Sequence, residues 1–374
     1  TEEFKGEKLE GLAYEHPFLN DVPYFTSKEA KKLKHLHTVV LSEEFVDTSA
    51  GTGLVHCAPG CGPEDFEVGK KYGLPAFNTL DEKGFLQDSP LFSGKKAKVD
   101  DEFFVKELEV RGALVARTEV EHEYPHCWRC HKPVVFRTTE QWFLKIEDLR
   151  ERMIELGKEV HWVPQRCGTA FNQWTAGLKD NAITRQRFWG APVPLWECGI
   201  CKKTTVVGSR KELEKLSGKK APPNLHKPFI DEVTWKCSEK SCKGTMTRIP
   251  DVLDVWLDAG TTVWNCLNYP SDEKTFKKMF PADFILEATE QVRLWFSLLS
   301  ICSTITLDQQ PFKAVYTHGM MLDYQGLKMS KSLGNIISPY EVVDKHGADV
   351  LRFYMGGVPA GENINFSWED VKAK

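Results

Sequence analysis

Nowhere do the 374 residues hold about 18 uninterrupted apolar positions, so no segment qualifies as a transmembrane helix. The longest apolar stretch, Leu294 to Leu307, is broken by Ser297, Ser300, Ser303 and Thr304. A strong charge of either sign is also missing: 49 Lys and Arg stand against 53 Asp and Glu, a formal net charge of −4. The chain as a whole is therefore no polyanion binder, and any nucleic acid must be held by local basic patches. Internal repeats and low-complexity segments are lacking, and no signal-peptide pattern is legible at the start. The chain opens at Thr1 rather than Met and stops abruptly at Lys374, which leads us to expect a fragment or a split subunit.

What is present describes an ordinary globular protein, 41% apolar and 27% charged, of a length that predicts two or three domains. There are 11 cysteines. Six form close pairs, Cys127/Cys130, Cys198/Cys201 and Cys237/Cys242, and the other five are scattered. An odd total with C-x-x-C pairing argues for metal sites in a reducing compartment, and so for a cytoplasmic protein.

Residues 1–135 read as a mixed α/β module, with β-rich runs at 37–41 and 53–56 and helices from Glu64 to Tyr72 and Asp101 to Val110. Residues 136–192 hold one amphipathic helix, Glu147 to Leu156, then a polar, aromatic run. Residues 193–249 hold two cysteine pairs around a lysine-rich helix, Lys211 to Leu216. Residues 250–360 alternate strand and helix signals: strands at 252–257, 283–286 and 312–317, helices at 290–302 and 339–346. That alternation argues for a parallel sheet. Residues 361–374 are expected as a link to something further.

The most informative block is Lys328-Met329-Ser330-Lys331-Ser332-Leu333-Gly334-Asn335, preceded by His318-Gly319. Two lysines, two hydroxyls and a glycine exit suit a triphosphate, although an arbitrary lysine pair beside a turn is usually a solvated loop. In Phe284 to Phe296, the residues Glu287, Gln291 and Trp295 lie at i, i+4 and i+8, which predicts one helix-side stripe. A carboxylate at a strand's C-terminal edge can accept two ribose hydroxyls, where ligands sit in open parallel sheets. Asp254 to Gly260 reads as a strand ending in a turn. Thr184 to Gly190 interleaves arginines with aromatics, which could bind nucleic acid; a structural and substrate-positioning role is favoured. Gly51 to Phe66 is a glycine-rich loop carrying His56 and Asp65, either a small polar pocket or a cap on the following helix. Cys198, Cys201, Cys237 and Cys242 match a tetrahedral structural zinc.

These blocks resemble, in order, motifs of the class I aminoacyl-tRNA synthetases, and most of all the isoleucyl-tRNA synthetases of archaeal or eukaryotic type. The resemblance spans about 1–360. It implies a fold of two parts: the C-terminal half of a class I Rossmann-type catalytic domain (250–360) with a zinc-ribbon insertion (193–249), and a mixed α/β, β-barrel-like editing domain (1–135), joined by the return segment 136–192. It implies ATP-dependent attachment of isoleucine to its tRNA through isoleucyl-adenylate, with hydrolytic editing of valyl-tRNA. By residue matching, Lys328 and Lys331 neutralise charge on departing pyrophosphate. Glu287, Gln291, His318, Gly319, Met329, Ser330 and Ser332 hold ATP or the adenylate. Trp256, Gln291 and Trp295 line the amino-acid pocket, Asp65 binds the α-amino group of a misacylated residue, and His56 contacts the terminal adenosine. The implied cofactor is structural Zn²⁺, with ATP and Mg²⁺ as substrate; the implied partners are isoleucine-accepting tRNA, ATP, L-isoleucine and the rest of the enzyme. Cys127 and Cys130, flanked by His126 and His131, form half a metal site whose partners lie upstream in the family.

The sequence departs from the pattern at Ala288 and Leu294, where glycines are usual, at Glu290 for Asp, at Ala259 for Ser and at Thr184 for Ser. It contains no H-I-G-H motif, no threonine-rich editing loop and no anticodon-binding helical domain. The expectation is a partial enzyme, inactive by itself. The alternatives are a valyl-tRNA synthetase fragment or a non-catalytic tRNA-binding or partner subunit.

Overall fold

The computed structural model describes every residue except 1–3, 50, 120, 128–129 and 332. The chain divides into two compact units, Thr1–Glu140 and Gln141–Lys374.

In the first unit the two expected helices form at Pro63–Tyr72 and Asp101–Val110. The first begins on a proline and ends on Gly73, whose φ of 68° is the left-handed cap that lacks a Cβ penalty. Short 3₁₀ turns occupy Gly6–Leu9, Pro23–Thr26 and Ala30–Lys32. The expected β character is not realised. Among the described residues this unit has isolated bridges, such as Ala13 with Thr38 and Phe85 with Lys96, but no strand. The β-barrel-like expectation is thus not met here. The reason is local. His37 adopts a φ of 55° at the head of one run, Gly51 and Gly53 turn at 80° and 74° before the other, and Leu54 and Val55 end up exposed without a ladder partner.

The second unit is built on three parallel strands in the order Ile285–Ala288, Ala314–His318, His161–Val163. Helix Trp295–Leu307 makes the crossover between the first two strands. Its row Phe296, Leu299 buries against Trp162, Phe171, Phe312 and Val315 in one apolar cluster. Phe296 is completely buried and meets the rings of both Trp162 and Phe312 edge-on. Burying one such side chain is worth about 1.5–3 kcal/mol. Helix Gln165–Ala176, absent from the sequence reading, covers the same core through Cys167 and Phe171. The amphipathic segment expected at 147–156 is a 3₁₀ turn, Glu147–Leu149, running into helix Arg150–Gly157.

The strand expected at 252–257 is corrected. Only Val252–Leu253 is extended, pairing antiparallel with Thr184–Arg185. Val255–Ala259 is helical because the Asp254 side chain accepts the Trp256 N–H at 2.9 Å and caps it. Inserted between these halves, four antiparallel strands lie in the order Thr204–Val206, Leu195–Cys198, Thr245–Arg248, Trp235–Lys236, with helix Arg210–Ser217 beside them. They close on their own core of Trp196, Leu213, Ile230 and Met246.

Helix Pro339–His346 forms as read, ending at Gly347 with φ 91°. Residues 361–374, expected as a link, fold back instead. Ile364–Asn365 pairs in parallel with Met321–Leu322, and Phe366 and Val371 bury with Val342 and Tyr354. No helix among the described residues is long and apolar enough to cross a membrane.

Candidate functional site

The lysine loop follows directly from the central strand. Beyond His318 the chain makes its short pairing with Ile364–Asn365, and Lys328 then bridges back to Leu322. A knot of hydrogen bonds fixes the loop base. The buried Asp323 carboxylate accepts the amides of Gln325 and Leu327 at 2.9 and 2.8 Å, and the Asn335 side-chain amide donates to its other oxygen at 2.7 Å. Asn335 in turn accepts the Ser330 N–H at 2.9 Å through Oδ1 and donates to the Lys328 carbonyl at 3.4 Å. The Asn335 hydrogen bond first, and then the amides around it, hold the Asp323 carboxyl below its ordinary value of 3.8. Lys328 and Lys331 are left exposed on a pinned loop, and Gly334 turns the exit at φ 68°. The Met329 sulfur receives the Ile337 N–H at 3.3 Å, so Met329 anchors rather than projects. Ser332 lies outside the described residues.

Parallel register places Ala288 opposite His318 and Glu287 opposite Thr317, so Glu287 and His318 sit at the same C-terminal sheet edge, both exposed. Gly319 is required by packing: a Cβ there would fall 1.9 Å from the Glu362 carbonyl oxygen. The single helical stripe expected for Glu287, Gln291 and Trp295 does not exist. Glu287 is in a strand, Gln291 in the 3₁₀ turn Thr289–Arg293, and Trp295 opens a helix. Two of the three remain linked in space, because Gln291 Oε1 accepts the Trp295 N–H at 3.2 Å. Trp295 Nε1 donates to the Ala259 carbonyl at 3.1 Å, tying it to the short helix that carries the half-exposed Trp256.

Four thiols converge in the inserted sheet. The sulfurs of Cys198, Cys201, Cys237 and Cys242 all lie within 4.8 Å of one another. Amides of Cys201 and Ile200 point at the Cys198 sulfur and pull that thiol down to about 6. Gly244 makes room: a Cβ there would sit 2.4 Å from the Cys198 sulfur. Cys127 and Cys130 gain no third ligand among the described residues, His131 included. The residue after Cys130 nevertheless matches the one after Cys201. His131 N–H donates to the Cys127 carbonyl as Lys202 N–H does to that of Cys198, and both residues have positive φ, 57° and 59°.

In the first unit, the Asp65 carboxylate turns back into its own loop, accepting the Ala58 N–H at 3.0 Å, while His56 is exposed. Burial, then the Asp65 charge, pushes the Cys57 thiol up to about 11, so it is no nucleophile. Beside this loop stand two imidazoles that the sequence reading passed over. His16 stacks on His37 at 4.9 Å with Phe25 edge-on to both. Burial first, then His37 and His56, lowers His16 to about 4.

Comparison with known proteins decides the family. Residues 24–367 match the family described as tRNA synthetases class I (I, L, M and V). The chain belongs to the class I tRNA synthetases. It is 42% identical over 373 residues to the isoleucine–tRNA ligase of Methanothermobacter thermautotrophicus, covering 98% of this chain and 35% of that protein. It is likewise 42% identical over 374 residues to that of Archaeoglobus fulgidus, covering 100% of this chain and 35% of that protein. The chain thus spans about a third of the length of these relatives. Mycobacterium tuberculosis methionyl-tRNA synthetase bound by methionyl-adenylate covers 67% of this chain and 40% of its own at 18% identity, with a TM-score of 0.44.

For this synthetase the residues that sequence reasoning missed are the hidden ones. Asp323 is a lone acid in Leu-Asp-Tyr-Gln-Gly, and only its position five residues before Lys328 hinted at a loop base. Its depressed pKa makes a sign-definite prediction. The order that Asp323 confers is complete above its ordinary value of 3.8 and is lost as the pH falls through its lower folded value. Hydrogen exchange at the Leu327 and Ser330 amides should therefore show protection collapsing only in that acid range. In Asp323→Asn the collapse should vanish and protection be weak throughout; an unchanged pH response would refute the role.

Proposed function

We propose that this chain is the central part of an isoleucyl-tRNA synthetase, which joins isoleucine to ATP and then to tRNA. The observation that carries the reading is the lysine loop pinned by Asp323 and Asn335 next to the sheet edge that bears Glu287 and His318. In activation, the isoleucine carboxylate attacks the α-phosphorus of Mg²⁺-bound ATP, giving isoleucyl-adenylate and pyrophosphate. Lys328 and Lys331 face the β- and γ-phosphates, and Ser330 donates to them. Stabilising developing charge with preorganised groups is commonly the largest catalytic term. Glu287 accepts ribose hydroxyls, and His318 borders the adenylate. Trp256, Gln291 and Trp295 wall the isoleucine side chain. The names of the relatives favour isoleucine over valine.

The test joins this chain to the remaining segments of the Methanothermobacter relative. Isoleucine-dependent ATP–pyrophosphate exchange should appear in the joined protein and not with the 374-residue chain alone. Lys331→Ala should lower it by about 10²–10³-fold with folding unchanged. Exchange driven faster by valine than by isoleucine would move the reading to the valyl branch.

The four-thiol cluster fits a structural zinc, by donor set and by the space Gly244 leaves for it. The metal would hold the inserted sheet together, and its ligands supply no step of the reaction. Elemental analysis should find about one zinc per chain. Chelation should unfold the insertion locally, read as lost protection at Trp196 and Met246. A metal-free protein of unchanged stability would overturn this.

The first unit is read as the editing module, with Asp65 receiving the ammonium group of a misattached valine and His56 the terminal adenosine. A second pocket is needed because one methylene discriminates by only about 1–3 kcal/mol, the isoleucine/valine pair being the standard worked case. Asp65 also holds the Ala58 amide. Asp65→Asn, which can keep a hydrogen bond to that loop, separates the two roles. In the joined enzyme it should leave exchange intact while valyl-tRNA accumulates; unchanged valyl-tRNA hydrolysis would sink the assignment.

A further inference from the structure

Between the central strand and the lysine loop, one peptide unit is gripped from both sides. The Met320 N–H donates to the side-chain oxygen Oδ1 of Asn363 at 2.8 Å. The carbonyl of the same unit, that of Gly319, lies 2.7 Å from His318 Nδ1. A carbonyl only accepts, so the ring proton of His318 sits on Nδ1. In its neutral form the ring then keeps a lone pair on Nε2, because the bond made by one nitrogen decides the state of the other. Free histidine side chains favour the opposite arrangement, so this contact sets the tautomer. His318 is exposed at the C-terminal sheet edge that it shares with Glu287.

Asn363 belongs to a strap, residues 359–366, that the rest of the fold holds in place. The Ile364 N–H donates to the Met320 carbonyl at 3.1 Å and the Phe366 N–H to the Leu322 carbonyl at 2.9 Å, so the strap runs alongside the exit of the central strand. Phe366 anchors one end, 2% exposed in the apolar cluster with Val342 and Tyr354. Toward the other end, Glu362 pairs with Arg166 of helix Gln165–Ala176 at 2.7 Å. That pair is half-exposed and contributes little stability. It marks where the strap meets the helix: a Cβ on Gly361, whose φ is 72°, would fall 2.9 Å from both Arg166 Nη2 and Pro164 Cγ. The bare Gly319 lets the Glu362 backbone approach closely enough for Asn363 to reach Met320. Asn363 itself is exposed and fills no core, so packing does not account for it.

We propose that Asn363 is a positioning residue of the nucleotide site: by holding the Gly319–Met320 peptide it fixes His318 as the Nδ1–H tautomer, which offers Nε2 as an acceptor to an N–H or O–H of the nucleoside. The identity of the nucleoside rests on the synthetase reading; the tautomer rests on this chain's own geometry. The route from Asn363 to His318 is one peptide plane long. Without the Asn363 oxygen the Met320 N–H loses its acceptor and the unit can rotate. The Gly319 carbonyl rotates with it, because the two ends of a planar peptide move together. Gly319 adds no side chain to resist that rotation. A purely structural asparagine would change stability and leave the imidazole proton where it was.

The readout is the NMR of isotopically labelled histidine nitrogens in the 374-residue chain at mildly alkaline pH. The signal of His318, assigned by its loss in His318→Gln, should show a protonated Nδ1 and a bare Nε2. Asn363→Ala should move it toward Nε2–H, and Asn363→Asp, which keeps an acceptor oxygen, should preserve it. In the joined enzyme, Asn363→Ala should raise the KM for ATP in exchange by about two- to tenfold, the net worth of one neutral hydrogen bond, with the KM for isoleucine unchanged. Asn363→Asp should restore it. The spectrum of the unsubstituted chain stays decisive if Asn363→Ala misfolds. The tautomer is read without activity, so it holds or fails apart from the synthetase reading. A bare Nδ1 in the unsubstituted chain, a tautomer indifferent to Asn363→Ala, or an unchanged KM for ATP would each overturn the proposal.

Discussion

The parallel register between Ile285–Ala288 and Ala314–His318 is the constraint on which the second unit depends. It brings two strand ends that are thirty residues apart in sequence to one edge, so that Glu287 and His318 share it. That register cannot slip, because Val315 and Ile285 must bury against Trp162, Phe296 and Phe312. The 3₁₀ turn with Gln291, the helix that begins at Trp295, and the run into the lysine loop all leave from that edge.

The loop itself shows how exposed cations are presented from a fixed base. One buried carboxylate and one carboxamide, Asp323 and Asn335, absorb the backbone amides that a loop would otherwise leave to water. None of their hydrogen bonds involves the lysine side chains. Lys328 and Lys331 are therefore left exposed, while the base beneath them is ordered. In the inserted sheet, the four-thiol cluster adjoins the apolar core, with Cys198 buried in it and Cys237 and Cys242 packed against it.

Much of this was legible in the primary structure where punctuation is strong. Pro63, Gly73, Pro339 and Gly347 mark helix ends because their allowed backbone conformations leave few alternatives. The cysteine spacing announced the cluster of four thiols, and the order of the motifs announced the family. Errors fell where a local signal competes with tertiary context. Val255–Ala259 looked like strand by composition, yet the Asp254 cap turns it into helix. Helix Gln165–Ala176 hid because its buried face, Cys167, Gly168, Phe171 and Thr175, carries a glycine and a hydroxyl beside only two apolar side chains. The β-rich runs of the first unit had the right composition, but extended segments need a neighbour to accept their amides.

The sequence by itself determined the chemistry on offer: two lysines and their hydroxyls, four thiols, a carboxylate at a strand end, and an arginine-aromatic run. These are choices of atoms, and atoms are what a sequence specifies. Only the tertiary structure decided which atoms are free to act. It turned Asp65 and Met329 inward as anchors, buried Asp323 as the hinge of the lysine loop, and drew Trp189 onto His226 from 37 residues away. Such assignments depend on where polar groups find partners across long separations, and local periodicity carries no record of that.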